Sequence, residues 1–360
     1  MNPVVAAGLA WLGRAFVQAD LEVRAVSGKD KIGDIVADHP AMILMDRPNA
    51  IDTFYTFCQA FLVSDVIDGN TYFVKVRKGG NKIHSLWWVP PWDVEIVASE
   101  SKDADSPVAG FWINIDGMRK WYESADVIHV KDGKDPADAL RGLAPLKAGL
   151  RSVMTIDRAE MYTQTLMRNC GAIPVMLSPT EPGAEISPEN VATLRGQFRE
   201  NQTGFNNGTP LVSPMGLGVQ RLGVTPEEMA LDKMTVFPVA VVCSLIGTPA
   251  MVLGYPDPGK TYSNLAEANY SAQVNGVIPR QDRLAEAIDI QCPELISIDR
   301  ERLVWNRTKV IALHAPVLER LDSLTKAAGG PILTPDEARS FVSLGALPDR
   351  TGEPMRGGVA

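Results

Sequence analysis

Apolar residues recur at helical spacing from Pro3 to Asp20, predicting a first amphipathic helix, and Leu21, Val23 and Val26 then open an extended segment. A second helical region, His39 to Met45, ends at Arg47-Pro48-Asn49-Ala50, where proline and asparagine break it. Asp52 or Thr53 can cap a third helix reaching about Val66, with Phe54, Phe57, Phe61 and Leu62 at helical spacing. From Asp68 the period drops to two. Tyr72, Val74 and Val76 alternate with Phe73, Lys75 and Arg77 between turns at Asp68-Gly69-Asn70 and Lys78-Gly79-Gly80-Asn81, and Ile83 to Val89 supplies the returning strand of a hairpin. Strands at Val94–Val97, Phe111–Ile115 and Asp126–Lys131 follow, so this portion reads as α+β with an antiparallel sheet.

Helical period dominates afterwards. Arg141-Gly142-Leu143-Ala144-Pro145 opens a long helix to about Asn169, with Leu143, Leu146, Leu150, Val153 and Met161 on one stripe suited to sideways packing, and Gly171 stops it. A strand at Ile173–Leu177, a helix with Ser187 as N-cap and Pro188 at its first position, and a broken extended stretch from Leu211 to Leu222 form a small insert. That insert is too small for its own core and implies support from a neighbouring chain. Thr225-Pro226-Glu227-Glu228 begins a helix that carries the apolar run Val236–Ile246 and ends at Gly247-Thr248-Pro249. A further helix spans about Asn264 to Gln291, and Gly276 and Pro279 within it predict a kink near Val277. A strand at Leu303–Asn306, a helix at Lys309–Ala327 and a short helix capped at Thr334 complete the pattern.

At 360 residues the chain exceeds one usual core, which implies two domains or one elongated, multi-segment subunit. The balance is acidic, 43 Asp plus Glu against 35 Lys plus Arg, for a formal charge of -8. Tight nucleic-acid binding needs a basic excess to neutralise phosphates, so it is excluded as the main task, although a duplex could still slide past without sticking. Cys58, Cys170, Cys243 and Cys292 lie far apart with no C-x-x-C, which points to reduced, buried thiols in a cytosolic product rather than a metal site or disulfide framework. His129, in a strand, reads as a satisfied structural residue. Val4 to Val17 lacks the basic flank of a signal peptide and is too short to span a bilayer, so no membrane association is expected.

One local motif suggests chemistry. Gly254, Gly259, Lys260 and Thr261 fit G-x-x-x-x-G-K-[ST], the P-loop pattern, which would make the chain a nucleotide hydrolase acting through Lys260. A P-loop needs successive N–H groups between a buried strand and a helix, but Pro256 and Pro258 remove two donors and the flanking pattern is helical. The alternative is a proline-stiffened loop leading into a polar helix. No G-x-S-x-G, H-E-x-x-H or paired carboxylate set suggests another enzyme, and neither a metal nor a cofactor is expected.

The order of several short motifs carries a resemblance. These are Arg47-Pro48-Asn49, Asp68-Gly69-Asn70-Thr71-Tyr72, Val89-Pro90-Pro91-Trp92-Asp93-Val94 and Asp126-Val127-Ile128-His129-Val130-Lys131. They continue with Arg141-Gly142-Leu143-Ala144-Pro145-Leu146, Asn169-Cys170-Gly171-Ala172-Ile173-Pro174, Ile246-Gly247-Thr248-Pro249, Thr261-Tyr262-Ser263-Asn264 with Glu267, and Pro279. From about Met1 to Glu294 the chain resembles the portal proteins of tailed double-stranded DNA phages, the family of long-tailed phages and related prophages. It departs from the pattern by beginning at the first helix, so that an N-terminal extension present in many relatives is missing or trimmed, and by matching nothing specific after Gly329.

The resemblance implies an elongated α+β subunit assembling as a ring, dodecameric in the virion. Its parts would be a wing at 1–139, a stem helix at 140–170, a clip at 171–224, a second stem helix at 225–250, a tunnel loop at 251–263, a kinked tunnel helix at 264–300 and a C-terminal wing or crown remnant at 301–360. It further implies assembly in the bacterial cytoplasm, a place at the capsid portal vertex beside the major capsid or scaffold protein, and genome packaging, retention and ejection. Double-stranded DNA would pass without sequence specificity, and terminase large subunit and head–tail adaptor would dock on the clip through Glu189, Arg195, Arg199 and Asn206. Asp257, Lys260, Thr261, Tyr262 and Asn264 would line the narrow channel, and Glu267, Asn269, Gln273 and Pro279 would belong to the tunnel helix. Weak polar contacts suit sliding, so Asn264, Asn269, Gln273, Asn275 and Gln281 are expected to give that helix a wet, nearly neutral wall. The same fold in a gene-transfer particle is equally compatible.

Overall fold

A computed structural model describes residues 2–27, 31–80, 82–100, 106–168, 175–180, 187–201, 216–221, 231–255 and 264–314. The first elements are α1 (Pro3–Phe16), β1 (Asp20–Ser27), β2 (Lys31–Ile35), α2 (Pro40–Asp46), α3 (Phe54–Ile67), β3 (Asn70–Arg77) and β4 (Ile83–Val89). Then come β5 (Val94–Ala98), β6 (Val108–Ile115), β7 (Met118–Glu123), β8 (Val127–Lys131), α4 (Pro145–Ala148), α5 (Leu150–Arg168), β9 (Val175–Pro179) and α6 (Pro188–Asn201). The last are β10 (Leu217–Arg221), α7 (Leu231–Ile246), α8 (Leu265–Ala272), α9 (Ile278–Gln291) and β11 (Glu301–Asn306). The expected helix at Lys309–Ala327 is described only through a short turn at Ile311–Leu313; its remainder and the Thr334 helix lie outside the described residues.

The expected antiparallel sheet of the first portion is in fact three sheets of three strands, ordered β11-β1-β2, β4-β3-β8 and β5-β6-β7. The tight turn at Pro91–Asp93 redirects the chain after β4, so β5 leaves that sheet and β8 returns to pair with β3, Tyr72 opposite His129. β3 is consequently buried on both faces. Phe57 of α3 stacks on Phe73 with ring centroids 4.2 Å apart, while Tyr72 meets Phe111 of β6 edge-on at 5.8 Å. The middle sheet therefore carries α3 and α9 on one side, with α1 and α7 joining the same core behind them, and β5-β6-β7 on the other, which overrides the alternation in the sequence. Lys75, in the set that alternates with Tyr72, Val74 and Val76, is buried and donates to the Gln291 carbonyl and to Glu294. Lysine is rarely buried unless its charge is met this way.

Local signals set several boundaries. The Asn2 side chain caps α1 by accepting from Val4 and Val5, and Thr53 caps α3 in a reciprocal box with Thr56. The β6-β7 hairpin turns at Asp116-Gly117, both with positive φ (50° and 77°), a turn suited to right-twisted strands. The long helix expected from Arg141 is split. A Cβ on Gly149 would stand 2.3 Å from Leu245 Cδ1, so α7 approaches closely here, and the helix restarts as α5. The expected stripe is split too: Leu146 and Val153 pack on the core, whereas Leu143, Leu150 and Met161 face outward. β9 and β10 pair antiparallel, and α6 begins behind Ser187, whose hydroxyl accepts from the Asn190 N–H.

Asp289 of α9 is buried, and its carboxylate accepts from the Leu303 N–H at 3.1 Å, tying α9 to β11. Burial pushes its carboxyl up to about 6, against the pull of the Leu303 bond. A carboxyl raised in the fold contributes stability that is full below its ordinary titration and is lost as pH rises through about 6. Asp289→Asn keeps an acceptor for Leu303 without a charge. Its melting temperature relative to the parent is expected to improve between about pH 5 and about pH 8, read by thermal scans at both; an unchanged difference would show that the carboxyl does not titrate in this window.

Candidate functional site

The kinked helix is fixed at one buried guanidinium. Arg280 donates from Nε to Asp65 of α3 at 2.8 Å, and from one terminal nitrogen to the Ile246 carbonyl at the end of α7 (2.9 Å) and to the Gly276 carbonyl (2.6 Å). Arg283 donates to the other oxygen of Asp65 and, at 2.6 Å, to Asp132 after β8. Asp65 thus receives two guanidinium groups while nearly excluded from water. Burial, the largest influence, holds the Asp132 carboxyl above its ordinary value against the opposing pull of Arg283.

Between α8 and α9 the chain runs through a π-helical turn at Gln273–Val277, where the Ile278 N–H reaches back five residues to the Gln273 carbonyl. The expected kink takes this form because Pro279 has no N–H and its ring would crowd the carbonyl four residues earlier; widening the turn by one residue removes the crowding. The widened turn lies against the end of α7. A Cβ on Gly276 would stand 2.6 Å from the Gly247 carbonyl oxygen, and Gly247 itself takes a left-handed φ of 82°. Two glycines therefore let two backbones touch where Arg280 collects a carbonyl from each.

The far end of α9 is equally fastened. The Gln291 side chain accepts from the His129 N–H at 2.8 Å and donates to the His129 carbonyl at 2.9 Å, extending the edge of β8. His129 stacks on Tyr72 at 4.4 Å, and its Nε2 lies 3.0 Å from Asn70 Oδ1, which also accepts from the Gly142 N–H. Burial, assisted by Lys131 and Arg141, lowers the His129 imidazole to about 3. It is a neutral structural residue, as its sequence setting suggested.

Asp257, Lys260, Thr261 and Tyr262 lie outside the described residues, and Asn264 immediately precedes α8. Glu267 and Pro279 are exposed and Asn269 is half-buried. Gln273 and Gln281 do not belong to a wet wall: they are 3% and 1% exposed. Gln281 donates to the Phe16 carbonyl at 2.7 Å and accepts from Arg307. Its place on the stripe Gln281, Leu284, Ala285, Ile288 was a helical-period signal that its amide chemistry obscured. The exposed face instead presents Glu267, Tyr270, Asn275, Pro279, Asp282, Glu286 and Ile290, which makes it acidic. On α6, Glu189 and Arg195 are exposed; the Arg199 side chain and Asn206 fall outside the description.

The approach to Gly254 does not suit a nucleotide loop. The chain arrives from α7 through a 3-10 turn at Ala250–Leu253, and Gly254, with φ 83°, closes that turn by donating to Met251 and Ala250. A buried strand, which the phosphate cradle requires, does not precede it. Among the described residues no group of His, Cys, Asp and Glu could hold a metal, and no helix is long and apolar enough to cross a membrane. Sequence reasoning did not single out Arg280, Arg283, Asp65 or Asp132. The available signal was Asp65, the one charged residue in helix α3.

Arg280→Ala is expected to lower unfolding stability by about 3 kcal/mol, since it leaves part of a buried charge and two carbonyls unmet. Arg280→Lys should not rescue it, because an ammonium cannot reproduce the planar fork. Denaturant unfolding measures both, and wild-type stability in Arg280→Ala would show that the node is dispensable.

A family model described as phage portal protein matches residues 3–342, extending past the Glu294 limit of the sequence resemblance. An uncharacterised protein of Rickettsia bellii is 25% identical over 327 residues, 89% of this chain and 82% of its own. The fold is shared with the neck of a gene transfer agent particle, solved empty with C6 symmetry (TM-score 0.69, 21% identity) and native with C12 symmetry (TM-score 0.67, 20% identity). Each alignment covers 95% of this chain and 90% of the other. An HK97 family phage portal protein from Corynebacterium diphtheriae matches at TM-score 0.57 and 15% identity, over 88% of this chain and 94% of its own.

Proposed function

The chain belongs to the phage portal protein family, a structural rather than enzymatic family, and from that premise we propose that it is one subunit of the ring-shaped DNA channel at a capsid vertex. Genome packaging, retention and ejection would proceed through that ring, with terminase and a head–tail adaptor docking on it in turn. The observation that carries the reading is the family match over residues 3–342, joined to a body from which α5 and α7 lead to a β9, α6, β10 unit. The wing would then be 1–139 with 301–360, the stem 140–170 and 225–250, and the clip 171–224, where exposed Glu189 and Arg195 are available for docking. The 251–263 segment would be the tunnel loop and 264–300 the tunnel helix. A particle of the gene transfer type is a second setting, supported by the fold likeness to the neck structures and leaving the ring role unchanged.

The acidic face of α8 and α9 suits a conduit. Glu267, Asp282 and Glu286 would repel phosphates, so a duplex passing them releases no counterions and gains no holding energy. Retention would then fall to the tunnel loop, where Lys260 offers a transient contact.

Negative-stain microscopy of the purified protein is expected to show rings with a central channel, and persistent monomers would overturn the proposal. Deleting Asp257 to Thr261 is expected to leave rings intact while reducing packaged or retained DNA; normal packaging would remove the loop from the mechanism. Lys260→Ala should leave nucleotide hydrolysis unchanged at background.

A further inference from the structure

The cap of α1 does more than close a helix. Asn2 is buried, and its Oδ1 accepts from the Val4 N–H at 3.0 Å and the Val5 N–H at 3.4 Å. Its Nδ2 donates to Asp157 Oδ1 of α5 at 2.7 Å and to the Val153 carbonyl at 3.4 Å. Only this orientation of the amide satisfies its surroundings, because the reverse would set N–H against N–H and oxygen against a carboxylate. Capping alone asks for an acceptor, which serine or aspartate supplies equally well. Asparagine adds a second head with two hydrogens, and both are used on α5.

Little else fixes the direction of α5. Ile156 is the one buried residue of its 19. From Ile156 outward the helix parts from the body across a groove of about 400 Å³, walled by Ala159 and Thr163 of α5, Val4 of α1, and Thr235 and Val239 of α7. Side chains do not fill this space, so packing does not resist a swing of α5 into it. Asp157 is thus a fulcrum. At about 1.5 Å per residue Arg168 lies about 16 Å further along, so a tilt of about 10° at Asp157 carries it about 3 Å, enough to lose a packed contact. The β9, α6, β10 unit follows Arg168 in the chain and inherits that displacement.

We infer that Asn2 is a positioning residue: its amide latches α5 to the body and sets the angle at which that helix leaves it, and so where the β9, α6, β10 unit is held. The role of α5 as a stem helix rests on the proposed function, whereas the latch stands on its own hydrogen bonds. The latch also reaches the Arg280 node through α1. A Cβ on Gly8 would stand 2.9 Å from Ile246 Cδ1, so α1 lies directly against the residue whose carbonyl Arg280 holds. One helix therefore joins the end of α7 to the middle of α5, with Asn2 as its fastening to α5.

Asn2→Asp separates the two heads, since aspartate caps as well as asparagine but cannot donate and meets Asp157 with like charge. Adding Asp157→Asn returns the missing donor, so the double variant restores the contact with donor and acceptor exchanged. Full-length protein in a Cys170→Ser background carries spin labels at Ile51→Cys and Met167→Cys, both exposed positions, and is diluted into excess unlabelled protein. The label-to-label distance is read by pulsed electron spin resonance. Parent and double variant are expected to give one narrow distribution, and Asn2→Asp a distribution roughly twofold broader or more, with unchanged helical content. A parental distribution in Asn2→Asp, or equal broadening in the double variant, overturns the latch. In micrographs of the same samples, rings of Asn2→Asp are expected to scatter in diameter and those of the double variant to be uniform; uniform rings from Asn2→Asp overturn the link between the latch and the ring. Absence of rings in the parent overturns the ring reading instead, and the distances alone then decide the latch.

Discussion

Arg280 is the constraint on which the arrangement of this chain depends. One planar guanidinium, nearly out of water, meets the carboxylate of α3, the last carbonyl of α7 and a carbonyl of the π-helical turn. A buried cation is tolerated only when its donors are met, so the three segments cannot separate without stranding a charge. The proposed stem helix α7, the proposed tunnel helix and the sheet-bearing body are thereby set at fixed distances by a single side chain. Arg283 doubles the hold on Asp65 and extends it to Asp132 beside the middle sheet.

The backbone prepares that meeting. Pro279 forces the helix to widen, and glycines at 247 and 276 remove the Cβ atoms that would keep α7 and the widened turn apart. None of these features is favourable alone: a π turn strains the helix ladder, and glycine in a helix gives up about 1 kcal/mol relative to alanine. Together they create a site that only a long, forked cation can fill. Gln291 then anchors the other end of α9 to the edge of β8, and Asp289 anchors its side to β11, so the helix is held along its whole length.

Such a frame suits a channel subunit. Its firmly held side faces the body, and its free side is acidic and carries few groups that could grip a duplex. The arm formed by α5 and α7 is held differently, with only one face of each helix committed to its own chain.

The sequence by itself determined most elements, because their causes are local: Thr53 capping α3, Ser187 capping α6, the glycine turn after Lys78 that returns β3 as β4, and Pro279 interrupting a helix. The Asp116-Gly117 turn was also legible and would have supplied β7. The family was legible in its motifs, and the family match bears that membership out. Tertiary structure alone decided which strands share a sheet, because β3 offers apolar residues on both faces and alternation cannot say which neighbour covers each. It alone decided that Lys75 and Gln281 are interior while Glu286 is not, since a polar side chain is placed by the partners that await it. Asp65 and Arg280 are 215 residues apart, and no local pattern pairs a donor with an acceptor across that distance.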